Sequence, residues 1–214
     1  MSDPALLEIV ALTLRVTGTA LIISTLIGVP LGALLGLARF RAKRLVTLLL
    51  YTGMGLPPVV VGLFVYLLLS RSGPMGSLNW LFTPSAMSAA QTVIAFPLVT
   101  GLTMSAVAAV DPALRQQVFA LGATRGQIAW AVLREARVGV TAAIVAAFGG
   151  IISEVGAVML VGGNIAGQTR VLTTAIVVYT RQGDFALAMA LGVILLALTF
   201  AANALLLRLQ GRTR

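Results

Sequence analysis

Runs of apolar residues bounded by charged residues divide this chain into windows of similar length. A helix needs about 20 apolar residues to cross the hydrocarbon core of a bilayer, and each window is close to that size. The pattern predicts five membrane-spanning helices, at residues 16–38, 45–70, 87–109, 138–161 and 185–207. Residues before Arg15 are predicted either to form a helical turn at the interface or to extend the first span at a tilt. Together these elements predict an all-α fold, with residues 1–214 forming one transmembrane domain.

Two segments between the predicted spans carry too many breaks to cross the membrane. The uncharged stretch between Arg71 and Asp111 is too long for one span and too short for two with a turn. Its glycines and prolines predict that residues 73–84 fold back at the outer interface, with Trp80 at headgroup depth. Residues 162–183 contain too few helix-period apolar positions to cross. Their glycine-rich start predicts irregular backbone, which at membrane depth must be buried in protein or line a cavity.

Prolines and glycines inside the predicted spans indicate how the helices bend and pack. Four prolines lie within spans, where each removes a backbone donor and favours a kink: Pro30, Pro57, Pro58 and Pro97. The kinks are typical of helices that move or surround a cavity, but membrane helices also tolerate proline without such a role. The spacing of Gly28, Gly32 and Gly36 predicts a smooth ridge for close helix approach, with packing inside the subunit at least as plausible as dimerisation.

The basic residues predict the orientation of the helices, because cytoplasmic loops carry an excess of Lys and Arg. One orientation leaves four bases outside: Arg15, Arg71, Arg170 and Arg181. It places eleven inside: Arg39, Arg41, Lys43, Arg44, Arg115, Arg125, Arg134, Arg137, Arg208, Arg212 and Arg214. The opposite orientation reverses that ratio. The sequence therefore predicts that the N-terminus lies outside and the C-terminus inside.

Composition excludes several classes of protein. With 59% hydrophobic residues, 10% charged residues and a mean hydropathy of +1.03, the chain is not a soluble globular domain. Its net charge of +9 does not indicate a nucleic-acid partner, because the bases flank apolar runs instead of forming one polar face. Anionic membrane lipid and an acidic or anionic partner fit this distribution better.

The chain also lacks the residues that most enzyme chemistry requires. It has no cysteine and no histidine, which excludes disulfides, thiolate metal sites, cysteine nucleophiles and histidine proton shuttles. It contains no GxxxxGK[ST] phosphate-binding loop, so it cannot bind ATP by that mechanism. We therefore predict a transport subunit and not an enzyme, with no metal and no cofactor bound by this chain. If ATP and Mg²⁺ are used, a separate partner ATPase binds them.

A basic segment between the third and fourth spans, residues 111–137, is predicted to be a docking site for a cytoplasmic partner; we call it the coupling loop. Its stretch from Arg115 to Arg137 contains four arginines opposed by Glu135 alone, and it is joined to a membrane span at each end. The alternative is an ordinary juxtamembrane loop that binds lipid headgroups.

The coupling loop resembles the EAA loop of ABC-importer permeases. Residues 120–123, Ala-Leu-Gly-Ala, match the centre of that motif, and Val132 and Leu133 match the start of its second pattern. The loop departs from the motif where Gln116, Gln117 and Val118 replace Glu-Ala-Ala and where Arg134 and Glu135 replace Leu-Pro. The resemblance implies that Gly122 is the turn between two short helices. It implies ATPase contacts at Gln116, Gln117, Ala120, Leu121, Gly122, Ala123, Thr124 and Arg125.

The C-terminal half extends the resemblance to one branch of these permeases. Residues 151–196 look like the corresponding part of the molybdate, tungstate and sulfate permeases, and residues 55–76 look like the second span of that branch. REAR at 134–137 combined with SEVGAVMLVGGNI at 153–165 is most similar to the tungstate-type members. The resemblance covers nearly the whole chain.

This resemblance implies a type I ABC-importer permease fold in the prokaryotic plasma (inner) membrane. It implies a homodimer with the pathway on its two-fold axis, a cytoplasmic ABC ATPase dimer and an extracytoplasmic oxyanion-binding protein. Tungstate is the favoured substrate, with molybdate and sulfate as alternatives. A self-sufficient channel or secondary transporter is less consistent with the sequence, which shows no inverted repeat and few ionisable groups within spans.

Polar residues near the outer end of the fourth span are candidates for function. Glu154 is the only acidic residue inside a predicted span, and such residues are functional candidates. A role in proton coupling is possible, but an ion pair with Arg170 or Arg15 is favoured. Neutral hydrogen-bond donors suit anion passage because conduction requires weak binding. Asn164, Thr169, Thr173 and Thr174 are therefore predicted to line an outer gate, unless they only cap and cross-link helices.

Overall fold

In a computed structural model, the chain folds into helices joined by short irregular segments. The structure describes residues 3–38 and 40–211; Arg39, Arg212 and Arg214 of the charge count lie outside them. The helices are α1 (Asp3–Leu37), α2 (Lys43–Met54), α3 (Pro58–Leu69), α4 (Pro84–Ala108), α5 (Pro112–Ala120), α6 (Arg125–Glu135), α7 (Arg137–Ile152), α8 (Gly156–Gly162), α9 (Leu172–Arg181) and α10 (Phe185–Gly211). No strand occurs in the described residues, and the predicted all-α class is confirmed.

Three helices, α1, α4 and α10, are long and apolar enough to cross a membrane without interruption. Counting two bent helix pairs as one span each raises the number to five, in agreement with the predicted number. Of the two possibilities for the residues before Arg15, the structure has the second, because α1 is continuous from Asp3. Its 35 residues extend over about 52 Å at 1.5 Å per residue.

The second span is not the continuous helix that the apolar window predicted. Helices α2 and α3 meet at an angle of 99°. Pro57, in an extended conformation, precedes Pro58 at the start of α3, and neither proline has an N–H to donate to a preceding helical turn. The proline pair therefore produces the predicted kink as a complete break. Pro30 and Pro97, in contrast, lie inside helices that continue through them.

The predicted fourth span, 138–161, is also wrong as a single helix. Helix α7 ends at Ile152, and the short helix α8 begins only at Gly156. The segments predicted not to cross behave as expected. Residues 70–83 contain only a 3-10 turn, at Gly76–Leu78, and are tied to α8 by a 2.8 Å hydrogen bond from Phe82 N–H to the Val161 carbonyl. Helix α9 has ten residues, about 15 Å, too few to cross.

Helices α1 and α4 pack closely against each other, and three glycines of α1 allow this close approach. Gly28 and Gly36 lie against Val99 and Val107 of α4, and an added Cβ at either would meet a side-chain atom at 3.1 Å or less. A Cβ at Gly32 would overlap the backbone carbonyl oxygen of Thr100. Of the two roles considered for these glycines, the structure shows packing within the subunit.

Substituting Gly32 by alanine should therefore destabilise the protein by about 1–3 kcal/mol, as overpacking of a close contact does. The added methyl would collide with backbone atoms, which cannot move aside as a flexible side chain can. Thermal unfolding in detergent measures the effect. Gly18→Ala in the same helix is the matched control, because a Cβ there meets nothing within 4 Å. Equal melting temperatures for both variants would contradict the packing argument.

Candidate functional site

The coupling loop is a pair of well-capped helices and not a flexible connection. Asp111 precedes α5 and its Oδ1 accepts a 2.8 Å hydrogen bond from the Ala113 N–H, with Pro112 in the first helical position. Thr124 and Gln127 form a reciprocal capping box at the start of α6. Side-chain acceptors at these positions satisfy N–H groups that have no partner within the helix. Both helices therefore have fixed starting points.

Gly122 forms the turn between α5 and α6, as predicted. Its φ of +81° lies in the left-handed region, which glycine adopts without steric cost. The Gly122 N–H donates to the Phe119 carbonyl and the Ala123 N–H to the Val118 carbonyl, which closes the end of α5. A Cβ added at Gly122 would meet nothing within 4 Å, so the turn projects into open space.

Two large apolar side chains are exposed next to this turn. Leu121 is 87% exposed and Phe119 is 70% exposed; we call them the apolar tip. Most of the other predicted contact residues are also exposed: Gln116, Gln117, Ala120, Gly122, Thr124 and Arg125; Ala123 is half-buried. Exposed apolar groups held on a rigid element are typical of a protein-binding surface. Phe119 was not among the predicted contact residues; its neighbours Val118 and Ala120 are apolar, so no local pattern singles it out.

The base of the coupling loop is packed into the membrane domain. Val132 and Ala136 are buried in one apolar cluster with Ala33 of α1 and Val107 of α4. The Arg115 guanidinium donates a 3.3 Å hydrogen bond to the Val107 carbonyl, near the end of α4. The coupling loop is therefore anchored on the ends of α1 and α4.

A separate site, made of polar side chains, lies at the break between the end of α7 and the start of α8. The Glu154 carboxylate accepts a 2.9 Å hydrogen bond from the Ala157 N–H in the first turn of α8. Thr173 of α9 donates to the Glu154 carbonyl at 3.0 Å, and Gln91 of α4 donates to the Ile151 carbonyl at 2.8 Å. Side chains from two neighbouring helices thus donate hydrogen bonds to backbone carbonyls at the break. Gln91 was not predicted, although a buried amide within a span was a visible signal.

Glu154 and Arg170 are not brought together as the predicted ion pair. Within the part of the chain that the structure describes, the Glu154 carboxylate binds the nearby amide of Ala157, and the Arg170 Nε donates to the Asn164 side chain at 3.3 Å. Arg15 does not pair with the Glu154 carboxylate in the described residues either. Together with Arg170 and Glu8 it lines a cavity of about 630 Å³.

The four predicted gate residues lie in and after the loop between α8 and α9, and their hydrogen bonds go largely to the backbone. Thr169, buried, donates to the Gly162 carbonyl and accepts from the Ile165 N–H. Thr174 is also buried. Its hydroxyl accepts a hydrogen bond from the Val171 N–H and donates one to the Val171 carbonyl at the start of α9. Asn164 has a φ of +51°, and its side-chain oxygen accepts a hydrogen bond from Arg170. Thr173 donates to the Glu154 carbonyl. In the subunit these groups shape the loop, which is the structural alternative considered for them.

Comparisons with known proteins agree that the chain is similar to permease components of transport systems. The family model for binding-protein-dependent transport system inner membrane components matches residues 28–214. A probable anion ABC transporter permease of Haloferax volcanii is 47% identical over 97% of this chain and 92% of its own length. A tungstate uptake system permease of Peptoclostridium acidaminophilum is 42% identical, covering 97% of this chain and 91% of its own.

Two less similar proteins also match most of the chain. A molybdenum transport system permease of Escherichia coli is 30% identical over 82% of this chain and 80% of its own. A crystal structure of an amino acid ABC transporter with histidines has a TM-score of 0.70 and covers 98% of this chain and 94% of that one. Its sequence identity is 20%, so this likeness concerns the fold alone.

Proposed function

This chain belongs to the family of binding-protein-dependent transport system inner membrane components, the permeases of ABC importers, and on that premise we propose that it imports a tetrahedral oxyanion, tungstate in the first place. The substrate is inferred from the similarity of nearly the whole chain to a tungstate uptake permease. The molybdenum permeases are less similar, which makes molybdate the second candidate and sulfate the third.

Membership of this family implies association with an ATPase and a binding protein, and the chain is a multi-pass component of the prokaryotic inner membrane. We propose in addition that the permease is a homodimer with its pathway on the two-fold axis, and that a cytoplasmic ATPase dimer binds ATP and Mg²⁺. The exposed apolar tip supports this arrangement, because it offers Phe119 and Leu121 to a groove on a partner.

The proposed mechanism joins the two sites described above. Closure of the ATPase dimer on ATP moves the apolar tip, and the packed base of the coupling loop transmits the movement to the ends of α1 and α4. The break between α7 and α8, held by Glu154 and Thr173, changes conformation as the outer gate opens. The gate residues act by fixing the loop that follows α8 and not by strongly binding the anion.

Transport by the assembled importer tests the substrate. The permease is reconstituted in liposomes with its ATPase and its binding protein, and uptake of tungstate, molybdate and sulfate is measured at matched concentrations. We expect ATP-dependent uptake, fastest for tungstate. Preference for another oxyanion would replace the substrate but leave the permease assignment intact. Uptake by the chain alone, without ATP, would support the channel or secondary transporter instead.

The orientation is tested separately, because it rests on the distribution of bases alone. Single cysteines are introduced as Ala42→Cys, Gly126→Cys and Ser77→Cys, three positions that are exposed in the structure. With the N-terminus outside, a membrane-impermeant thiol reagent applied to whole cells should label position 77 and spare positions 42 and 126. All three should react after the cells are opened. Labelling of 42 and 126 in intact cells would invert the orientation.

A further inference from the structure

A groove runs along the surface between α1 and the junction of α6 with α7. Its volume is about 270 Å³, and its lining includes Val29 of α1, Trp130 and Arg134 of α6, and Arg137 and Val140 of α7. We call it the basic groove. Its lining is almost entirely apolar, and the two arginines, Arg134 and Arg137, are among the residues that border it. A site of this composition suits a ligand with a charged head and a hydrocarbon tail.

The two arginines of the basic groove have no acidic partner among the described residues. Arg134 is exposed and Arg137 is half-buried, no salt bridge joins either to a described carboxylate, and no acidic residue lines the groove. The neighbouring acid, Glu135, lines a different cavity together with Asp111. Helix α6 therefore separates its charges, and its basic side is open to an anion.

The depth of the basic groove identifies the kind of anion. Val29 lies eight residues before the end of α1, about 12 Å along the helix axis, so the floor of the groove reaches hydrocarbon depth. Trp130, which also lines the groove, is 68% exposed, and tryptophan is enriched at the level of lipid headgroups. A soluble partner could cover the mouth but could not enter the floor, whereas a phospholipid could occupy both.

We propose that the basic groove binds one phospholipid with a net negative headgroup, on the side of the membrane that carries the coupling loop. The phosphate lies between Arg134 and Arg137, and an acyl chain extends past Val29 and Val140. The site adjoins the coupling loop, so its occupancy stiffens the junction between α6 and α7, where the helices bend by 66°. This proposal is independent of which oxyanion is transported.

Native mass spectrometry of the assembled transporter tests the site, with phosphatidylglycerol and phosphatidylcholine as probes. We expect the wild type to retain phosphatidylglycerol in preference to phosphatidylcholine. The double variant Arg134→Gln/Arg137→Gln should weaken phosphatidylglycerol retention by about 30-fold, the factor for two basic side chains near anionic lipid. Arg208→Gln, which removes an exposed arginine near the end of α10, is the matched control and should retain it fully.

Two further variants complete the test. Arg134→Lys/Arg137→Lys keeps the charge and should retain the lipid. The single variant Arg134→Gln, at an exposed position, is measured if the double glutamine variant does not assemble, and it should weaken phosphatidylglycerol retention about fivefold. Equal retention of both lipids by the wild type, or full retention by the glutamine variant, would overturn the proposal. So would loss of dimers in the glutamine variant together with no lipid on the wild type, because the groove would then be covered by a second copy of the chain.

Discussion

Replacing Leu121 with aspartate should lower ATP-driven uptake by about 30-fold or more, a factor typical of losing a central apolar contact at an interface. Leu121 is 87% exposed in the subunit, so the substitution removes no internal packing and the permease should still fold and insert. In the complex, the same position would place a charge in an apolar groove of the ATPase, where it loses hydration without gaining a partner. Uptake in proteoliposomes and co-purification of the ATPase measure the effect.

Leu121→Met is the control, because it keeps an apolar side chain of similar volume on the same turn. It should support uptake close to that of the wild type. Gly122, with its positive φ, is left unchanged in both variants, so the turn itself is not disturbed. If Leu121→Asp assembles and transports normally, the apolar tip does not dock the ATPase and the coupling loop needs another role.

Replacing Glu154 should separate two explanations of the only acidic residue in a predicted span. We expect Glu154→Leu to lower uptake about tenfold, because removing a side-chain helix cap costs about 1 kcal/mol or more, and the break between α7 and α8 would lose its fixed geometry. Glu154→Gln should stay within about twofold of the wild type, since its amide oxygen can accept the same hydrogen bond from Ala157.

A proton-coupling role gives the opposite result for the glutamine variant. Glutamine cannot titrate, so transport would be lost although the cap is retained. Melting temperatures of both variants in detergent provide the structural control. Loss of transport in Glu154→Gln at an unchanged melting temperature would replace the capping role with one that requires the charge.

The sequence predicted those parts of the fold that depend on composition and local rules. The spans around α1, α4 and α10 follow from apolar windows bounded by charged residues, and the turn at Gly122 follows from the backbone freedom of glycine. Hydropathy did not reveal the break at residues 153–155, because the residues on both sides of it are equally apolar. That break is held by Gln91 and Thr173, which come from distant parts of the chain.

In the candidate sites too, features that depend on neighbouring residues could be predicted, and features that depend on distant residues could not. The two helices and the turn of the coupling loop could be anticipated because the motif is contiguous, whereas Phe119 was missed because it stands among apolar neighbours that do not single it out. The charges of Glu154 and Arg170 made an ion pair plausible, but charge carries no information on direction. Thr169 and Thr174, which were predicted as anion donors, bond to backbone groups around the loop between α8 and α9, and Thr173 bonds to the distant Glu154 carbonyl; residue type alone could not reveal these partners.

The glycine contact between α1 and α4 also determines where this permease can bend. Two helices whose backbones touch over successive turns cannot roll or slide without separating tightly packed atoms, and such interfaces adopt discrete arrangements instead of deforming gradually. We therefore expect α1 and α4 to travel as one rigid body during alternating access, together with the coupling loop anchored on them. The change in backbone dihedral angles is then left to the helix breaks at residues 55–57 and 153–155, which act as the hinges of the transport cycle.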